Sequence, residues 1–267
     1  MNSLKTVLTE HFKNLHLIKG LSSYEMKKEY ADNILGSLWV FLNPLMQIAV
    51  FWFVFGTGIR GGAPVHGVPF IIWMLCGLIP WFFISTAIIN GSASIYARVG
   101  TVSKMNFPLS IIPTYVVLSR FYTHLVLVVV LLIAVISSQG MDGVHIFALI
   151  YYMFSNLMLL IALAFLTSTL STMLRDIHLF LQQFTRMLMY LTPVLWMPNP
   201  HQTFLLKIMK INPFFYIATG YRDSLLNNST SLIFSSYSFY YWGVVLVILI
   251  LGAALHIKFR KMFVDYL

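Results

Sequence analysis

Apolar residues in this chain run together for twenty and more positions at a time, and polar ones gather in the short stretches between. The run from Leu35 to Ile59 holds 25 positions without Asp, Glu, Lys or Arg. As a helix rising about 1.5 Å per residue it would be about 37 Å long, more than the roughly 30 Å hydrocarbon core of a bilayer. Five comparable runs follow: Pro69 to about Ile88, Ile111 to Ser137, Val144 to Leu174, His178 to Met197 and Tyr237 to His256. The pattern predicts an all-α polytopic membrane protein with six transmembrane helices. Residues 1–34 are expected to form a cytoplasmic amphipathic interface helix and entry segment, and 35–267 a six-span membrane domain. The longest runs imply tilted helices or helices that continue past the lipid.

Three stretches outside the runs have patterns of their own. Leu4, Val7, Leu8, Phe12, Leu15 and Ile18 recur at helical spacing opposite Lys5, Thr9, Glu10 and Lys13. Such spacing predicts an amphipathic helix lying in the interface, either a plain anchor or something more specific. Tyr96 to Ser110 is short and basic, with Gly100 and Pro108 as turn signals around one or two helical turns. Asn199 to Ser236 is too polar to span but carries the apolar clusters Phe204–Leu206 and Phe214–Ile217. Two readings fit it: short re-entrant helices whose turns are satisfied by protein or water, or an external amphipathic loop.

Composition agrees with the pattern. The chain is 59% hydrophobic and 9% charged, against roughly 25% charged in soluble domains. The start lacks the layout of a cleavable signal peptide, so the first span is expected to do the targeting. One cysteine, Cys76, excludes an internal disulfide framework and a cysteine-based metal cluster, and its expected role is packing. The net charge of +9 is arranged by side. Lys5, Lys13, Lys19, Lys27, Lys28, Arg98, Lys104, Arg175, Lys258, Arg260 and Lys261 fall on one side, and Arg60, Lys207, Lys210 and Arg222 on the other. Basic residues accumulate on the cytoplasmic side, so both termini are expected there. Trp196 and the Tyr237–Trp242 cluster fall at the opposite interface. A charge with this purpose does not point to nucleic acid.

Ionisable groups inside the spans are few. Arg120 and His124 are four residues apart on one face of the third span, and Arg186 lies in the fifth at a similar expected depth. A guanidinium suits bidentate contact with phosphate, so these residues are candidates for receiving an anionic lipid headgroup. Snorkelling to the interface is the competing reading. No Asp or Glu lies within a predicted span, which argues against a proton-coupled carrier. No Gly-x-x-x-x-Gly-Lys-Ser/Thr loop and no His-Glu-x-x-His motif occurs, so the chain has neither that nucleotide-binding device nor that zinc site, and no catalytic or metal site is expected. Uphill transport would need energy from elsewhere.

A series of short motifs resembles the type-2 ABC exporter permeases of the polysaccharide-export branch. In order they are Tyr24-Glu25-Met26-Lys27-Lys28, Leu35-Gly36-Ser37-Leu38-Trp39, Leu42-Asn43-Pro44, Gly77-Leu78-Ile79-Pro80-Trp81, Lys104-Met105-Asn106-Phe107-Pro108, Arg175-Asp176-Ile177, Leu191-Thr192-Pro193, Asn212-Pro213 and Tyr221-Arg222-Asp223. Within the branch, Trp52 to Gly56, Gly58 to Gly62 and Ser103 to Pro108 most resemble the wall teichoic acid translocation permeases of Gram-positive bacteria. Glu29 and Asp32 depart from the pattern, in a stretch often more basic in relatives.

The resemblance implies a homodimer in the cytoplasmic membrane of a bacterium, bound to two copies of a separate ATPase that carries ATP and magnesium. The cargo would be a polymer on a polyprenyl diphosphate lipid, moved outward among membrane lipids. It also implies that Arg98, Val99, Lys104, Met105, Asn106, Phe107 and Pro108 belong to a coupling helix seated on the ATPase. Trp73, Trp81, Phe82, Tyr151 and Tyr152 are candidates for an aromatic wall along a sugar path, with ordinary packing as the alternative. Other classes remain open: a type-2 permease for a drug or small lipid, a membrane-embedded lipid-processing enzyme, or an energy-independent scaffold or channel.

Overall fold

The computed structural model describes residues 2–29, 31, 33–59, 61–98, 107–197 and 203–263, and among these the regular elements are helices. Ten α-helices follow in order: α1 Asn2–Lys13, α2 Leu15–Lys28, α3 Trp39–Phe51, α4 Phe70–Ala93, α5 Ile111–Gln139, α6 Ile146–Met173, α7 Asp176–Leu191, α8 Thr203–Ile211, α9 Pro213–Leu226 and α10 Ser236–Phe259. A 3₁₀ turn at Gly36–Leu38 leads into α3, and a wider-wound segment, Trp52–Ile59, continues it.

Five of the helical stretches are long and apolar enough to cross a membrane: Gly36–Ile59, Phe70–Ala93, Ile111–Gln139, Ile146–Met173 and Ser236–Phe259. They lie on five of the six expected runs, within a few residues at most boundaries. The fifth run, expected over His178 to Met197, differs. Its helix α7 has 16 residues, about 24 Å by helical rise, and ends where Thr192 takes an extended conformation (φ −91°, ψ 137°) before Pro193. Proline's ring disfavours the helical conformation in the residue before it. Val194 and Leu195 then turn into the core, where both are buried.

The core is built on α4. Its buried face packs against α5 and α6, and α6 packs in turn on α10. Close approach depends on small residues: a Cβ on Gly91 of α4 would lie 3.0 Å from Ala164 Cβ of α6, and one on Gly252 of α10 would lie 2.8 Å from Leu166 N. Cys76 is fully buried in this core. By contrast α3 touches the rest of the bundle sparsely, and Leu45, Met46, Val50 and Phe53 are all exposed.

The predicted amphipathic stretch is two helices with a divided apolar stripe. Val7 packs against Phe165 and Ala253, and Ile18 against Ile111, Ile112, Tyr115 and Val116. Leu8, Phe12 and Leu15 of the same stripe are exposed. Three carboxylates tie these helices to the ends of the bundle: Glu10 to Arg260 at 2.9 Å, Glu25 to Arg98, and Glu29 to Arg120. These are the ion pairs among the described residues. Glu10 also accepts from Ser110. Thr114 donates to His11 Nε2 at 2.7 Å while His11 Nδ1–H donates to the Val7 carbonyl, which fixes the neutral tautomer. Burial lowers the His11 pKa below its usual value, opposed by that carbonyl and by Glu10.

Candidate functional site

Between α7 and α10 the chain enters the bundle and comes back. Trp73 of α4 meets Arg222 of α9, and Trp81 meets Phe214. The two contacts are eight residues apart on each helix, in opposite order, so α9 runs antiparallel to α4 over about 12 Å of rise. Met197, before the pair α8–α9, and Asn227, after it, line the same cavity. Both ends of the α8–α9 pair therefore lie at the same cavity. Its turn is held by side chains of neighbouring elements. Asn212 Oδ1 accepts from Phe214 N at 3.0 Å, Asn212 Nδ2 donates to Thr192 Oγ1 at 2.8 Å, and the Tyr240 and Tyr237 hydroxyls donate to the carbonyls of Ile211 and Asn212 at 2.8 and 3.4 Å. Pro213 opens α9 where a missing N–H costs nothing.

Arg222, counted with the outer loops on charge alone, is instead a buried residue of α9. Its guanidinium donates to the carbonyls of Pro193 at 2.5 Å and Val194 at 2.6 Å and stacks 3.7 Å from the Trp73 ring. The carbonyls are available because α7 has just ended at a proline. Gly77 gives the guanidinium room, since a Cβ there would sit 2.6 Å from Nη2. The motifs at 77, 192–193 and 222 thus converge on one joint.

Further along α4, around Phe82 to Thr86, α3, α4 and α5 line a partly polar cavity of about 240 Å³. Arg120, His124 and Phe82 line it with Glu29, Asn43, Gln47 and Thr86. Arg120 and His124 face it together because they are one helical turn apart. His124 Nε2 is 2.8 Å from the Tyr221 hydroxyl, and its ring stacks on Phe83 with centroids 4.9 Å apart. The floor of the cavity is thereby fixed by α9. Arg186 is not part of it: its side chain is exposed on α7, 3.5 Å from Gln183 Oε1. Beside the cavity lies an apolar cleft of about 360 Å³ between α2, α3 and α5, and the two share Val40 and Thr123.

The remaining expected residues fall in three places. Trp73 and Trp81 are buried against α9. Tyr152 is fully buried beneath Gly220, while Tyr151 shares its hydroxyl with Tyr216, Ser238 and Trp242 at 2.8–3.2 Å. Within one chain these aromatics join helices to each other. Of the expected coupling segment, Arg98 pairs with Glu25 and lies 5.8 Å over the Tyr115 ring, Phe107 packs beside Ile111 and Ile112, and the Pro108 carbonyl accepts from Ile111 N at 3.1 Å. Val99, Lys104, Met105 and Asn106 lie outside the described residues. Glu29 and Arg222 are the functional-site residues that sequence reasoning did not select. For Glu29 the available signal was its spacing of four from Glu25, which puts both on the face of α2 turned to α5.

The family pattern of the ABC-2 type transporter matches residues 16–226, which takes in the cavity, the cleft and the α8–α9 pair. This chain belongs to that family. The O-antigen export system permease protein RfbA of Myxococcus xanthus is 25% identical over 208 residues, covering 77% of this chain and 78% of the relative. Two Klebsiella pneumoniae proteins of the same name are each 24% identical, one over 251 residues (91% of this chain, 93% of the relative) and one over 258 (94% and 95%). The chain is thus a multi-pass membrane subunit of an ABC-2 type transporter, a class that works with an ATPase partner, and the similarity runs through nearly all of it.

Proposed function

We propose that this permease exports a lipid-linked polysaccharide, with a separate ATPase supplying the energy. Similarity to O-antigen export permeases over more than nine-tenths of the chain carries this reading. The finer reading is a homodimer with two ATPase copies in the cytoplasmic membrane of a bacterium, with the 16-residue α7 as a sixth crossing and both termini inside. Its cargo is an anionic wall polymer of the teichoic acid kind on polyprenyl diphosphate, as the motifs at 52–62 and 103–108 imply. ATP and magnesium belong to the ATPase, and this chain contributes no catalytic residue.

The site's chemistry supports such a cargo. A lipid tail can stay in the bilayer, but a charged headgroup and a hydrophilic polymer need a shielded route. Arg120 offers a guanidinium in a polar cavity beside an apolar cleft, and His124 and Phe82 complete its wall. In the proposed cycle, closure of the ATPase pair moves the segment Arg98 to Pro108 as a lever, and Glu25 and Arg98 pass the movement to α2. Trp73, Trp81, Tyr151 and Tyr152 keep the α9 wall rigid while the first span moves. Arg186, exposed on α7, is available to headgroups at the bundle surface.

Depletion of the permease should make cells accumulate polyprenyl-diphosphate-linked polymer on the inner leaflet, and the purified chain should bring down an ATPase. Polymer reaching the cell surface at the normal rate in depleted cells contradicts the export reading. Replacing Lys104 or Phe107 by Asp should leave the ATPase bound or nearly so but abolish its stimulation by cargo; unchanged stimulation contradicts the lever.

A further inference from the structure

Glu29 is placed where a carboxylate is poorly served. It follows the last helical residue of α2, at the carbonyl end of the helix, where negative charge is disfavoured. Its partner Arg120 is engaged by one carboxylate oxygen through Nη1, while the buried Arg120 Nε has no hydrogen bond among the described residues. A guanidinium fork is suited to a planar or phosphate anion with two oxygens in reach, so this one is only partly used. Among the described residues, the cavity holding the pair adds the neutral amides of Asn43 and Gln47 and no second carboxylate. Next to it, across Val40 and Thr123, lies the cleft walled by Met26, Phe41 and Val126. A polar chamber with an under-used cation, joined to an apolar chamber bordered by sparsely packed α3, has the division of an anionic amphiphile.

We propose that the Glu29 carboxylate is a built-in stand-in for a phosphate or diphosphate headgroup at Arg120. An anionic lipid displaces it, placing its headgroup in the polar chamber and its chain in the cleft. The exchange frees the junction between α2 and the first span, while Glu25 keeps α2 tied to Arg98. The inference rests on the export reading for the identity of the lipid, but not for the exchange itself. A doubly charged headgroup outcompetes a single carboxylate at the fork, so the pair is a latch that the right cargo opens.

The test is equilibrium binding to the full-length permease with its ATPase, in nanodiscs of neutral phosphatidylcholine, with undecaprenyl diphosphate as probe. Glu29→Gln removes the competitor and should tighten binding by about tenfold, the scale of one charge-assisted hydrogen bond. Arg120→Gln should weaken it by at least about tenfold, Arg120→Lys by less, and the double variant Glu29→Gln/Arg120→Gln should match Arg120→Gln. Neutral undecaprenol should bind wild type and Glu29→Gln alike. Unchanged or weaker diphosphate-lipid binding by Glu29→Gln, in protein that melts at the wild-type temperature, overturns the latch. Displacement of the lipid by equimolar inorganic diphosphate overturns the lipid as the source of the anion. None of these readouts requires transport, so a failure here leaves polymer accumulation in depleted cells as the separate test of export.

Discussion

Gly36–Ile59 and Phe70–Ala93 have the same length, 24 residues, and similar apolarity, yet no residue in the most apolar stretch of the first is buried while 78% of that stretch in the second is. The difference lies in what approaches each span. Arg222 and Ala164 close on Gly77 and Gly91 of the second, whereas the first, with three glycines of its own, presents Leu45, Met46, Val50 and Phe53 outward and ends in a loosely wound segment. Hydropathy reports that both belong in a membrane. Only the packing of the other helices reports that one is a structural column and the other is free to be covered by lipid or another copy.

The largest effect expected on the column side is at its joint with α9. Arg222→Ala strands the Pro193 and Val194 carbonyls, costing about 2–6 kcal/mol at roughly 1–3 per orphaned buried group, read by denaturant unfolding in detergent. Arg222→Lys should not restore stability, because an ammonium cannot bridge both carbonyls and stack on Trp73. Full stability of either variant would show that α9 is seated otherwise.

The comparison between the spans is sharpened by a matched pair of truncations. Ile84→Ala in the second span removes a fully packed side chain and should cost about 2–5 kcal/mol. Val50→Ala in the first should stay within about 0.5 kcal/mol. Equal costs in the same assay would erase the distinction. At the turn between α8 and α9, Asn212→Ala removes the cap on α9 and the link to Thr192, an expected loss of about 1 kcal/mol.

The smallest effect is electrostatic and lies at the N-terminal helices. Folding lowers the His11 pKa, so the folded state binds fewer protons than the unfolded one, and stability falls as pH drops below about 6.5, the unperturbed value. Wild-type protein should therefore lose more melting temperature between pH 7.5 and pH 5.5 than His11→Gln does. An equal drop in both would remove His11 from the account.

Much of this architecture was legible in the residues. The long apolar runs located five helices long and apolar enough to cross a membrane within a few positions, and the apolar clusters at 204–206 and 214–217 marked the short helices between α7 and α10. What periodicity does not carry is partnership between distant elements. Arg222 reads as a loop charge until the carbonyls released by Thr192–Pro193, 28 and 29 residues away, are brought beneath it. Arg120 and Arg186 read as equals by depth, but rotation about their helices sends one into a cavity and leaves the other exposed. Glu29 reads as an acidic exception in a basic stretch, and only the packing of α2 on α5 reveals its arginine. The shortness of α7 was likewise hidden, because its apolar run continues past the proline that ends the helix.

The central claim is that this permease moves a lipid-linked polymer with energy it does not itself generate. Its most direct test is reconstitution with the co-purified ATPase in liposomes preloaded with polyprenyl-diphosphate-linked glycan. The account predicts ATP-dependent appearance of glycan on the opposite face, lost in Arg120→Gln and absent when the permease is alone. Glycan transfer by the permease without the ATPase, or ATP hydrolysis by the isolated chain, would contradict it.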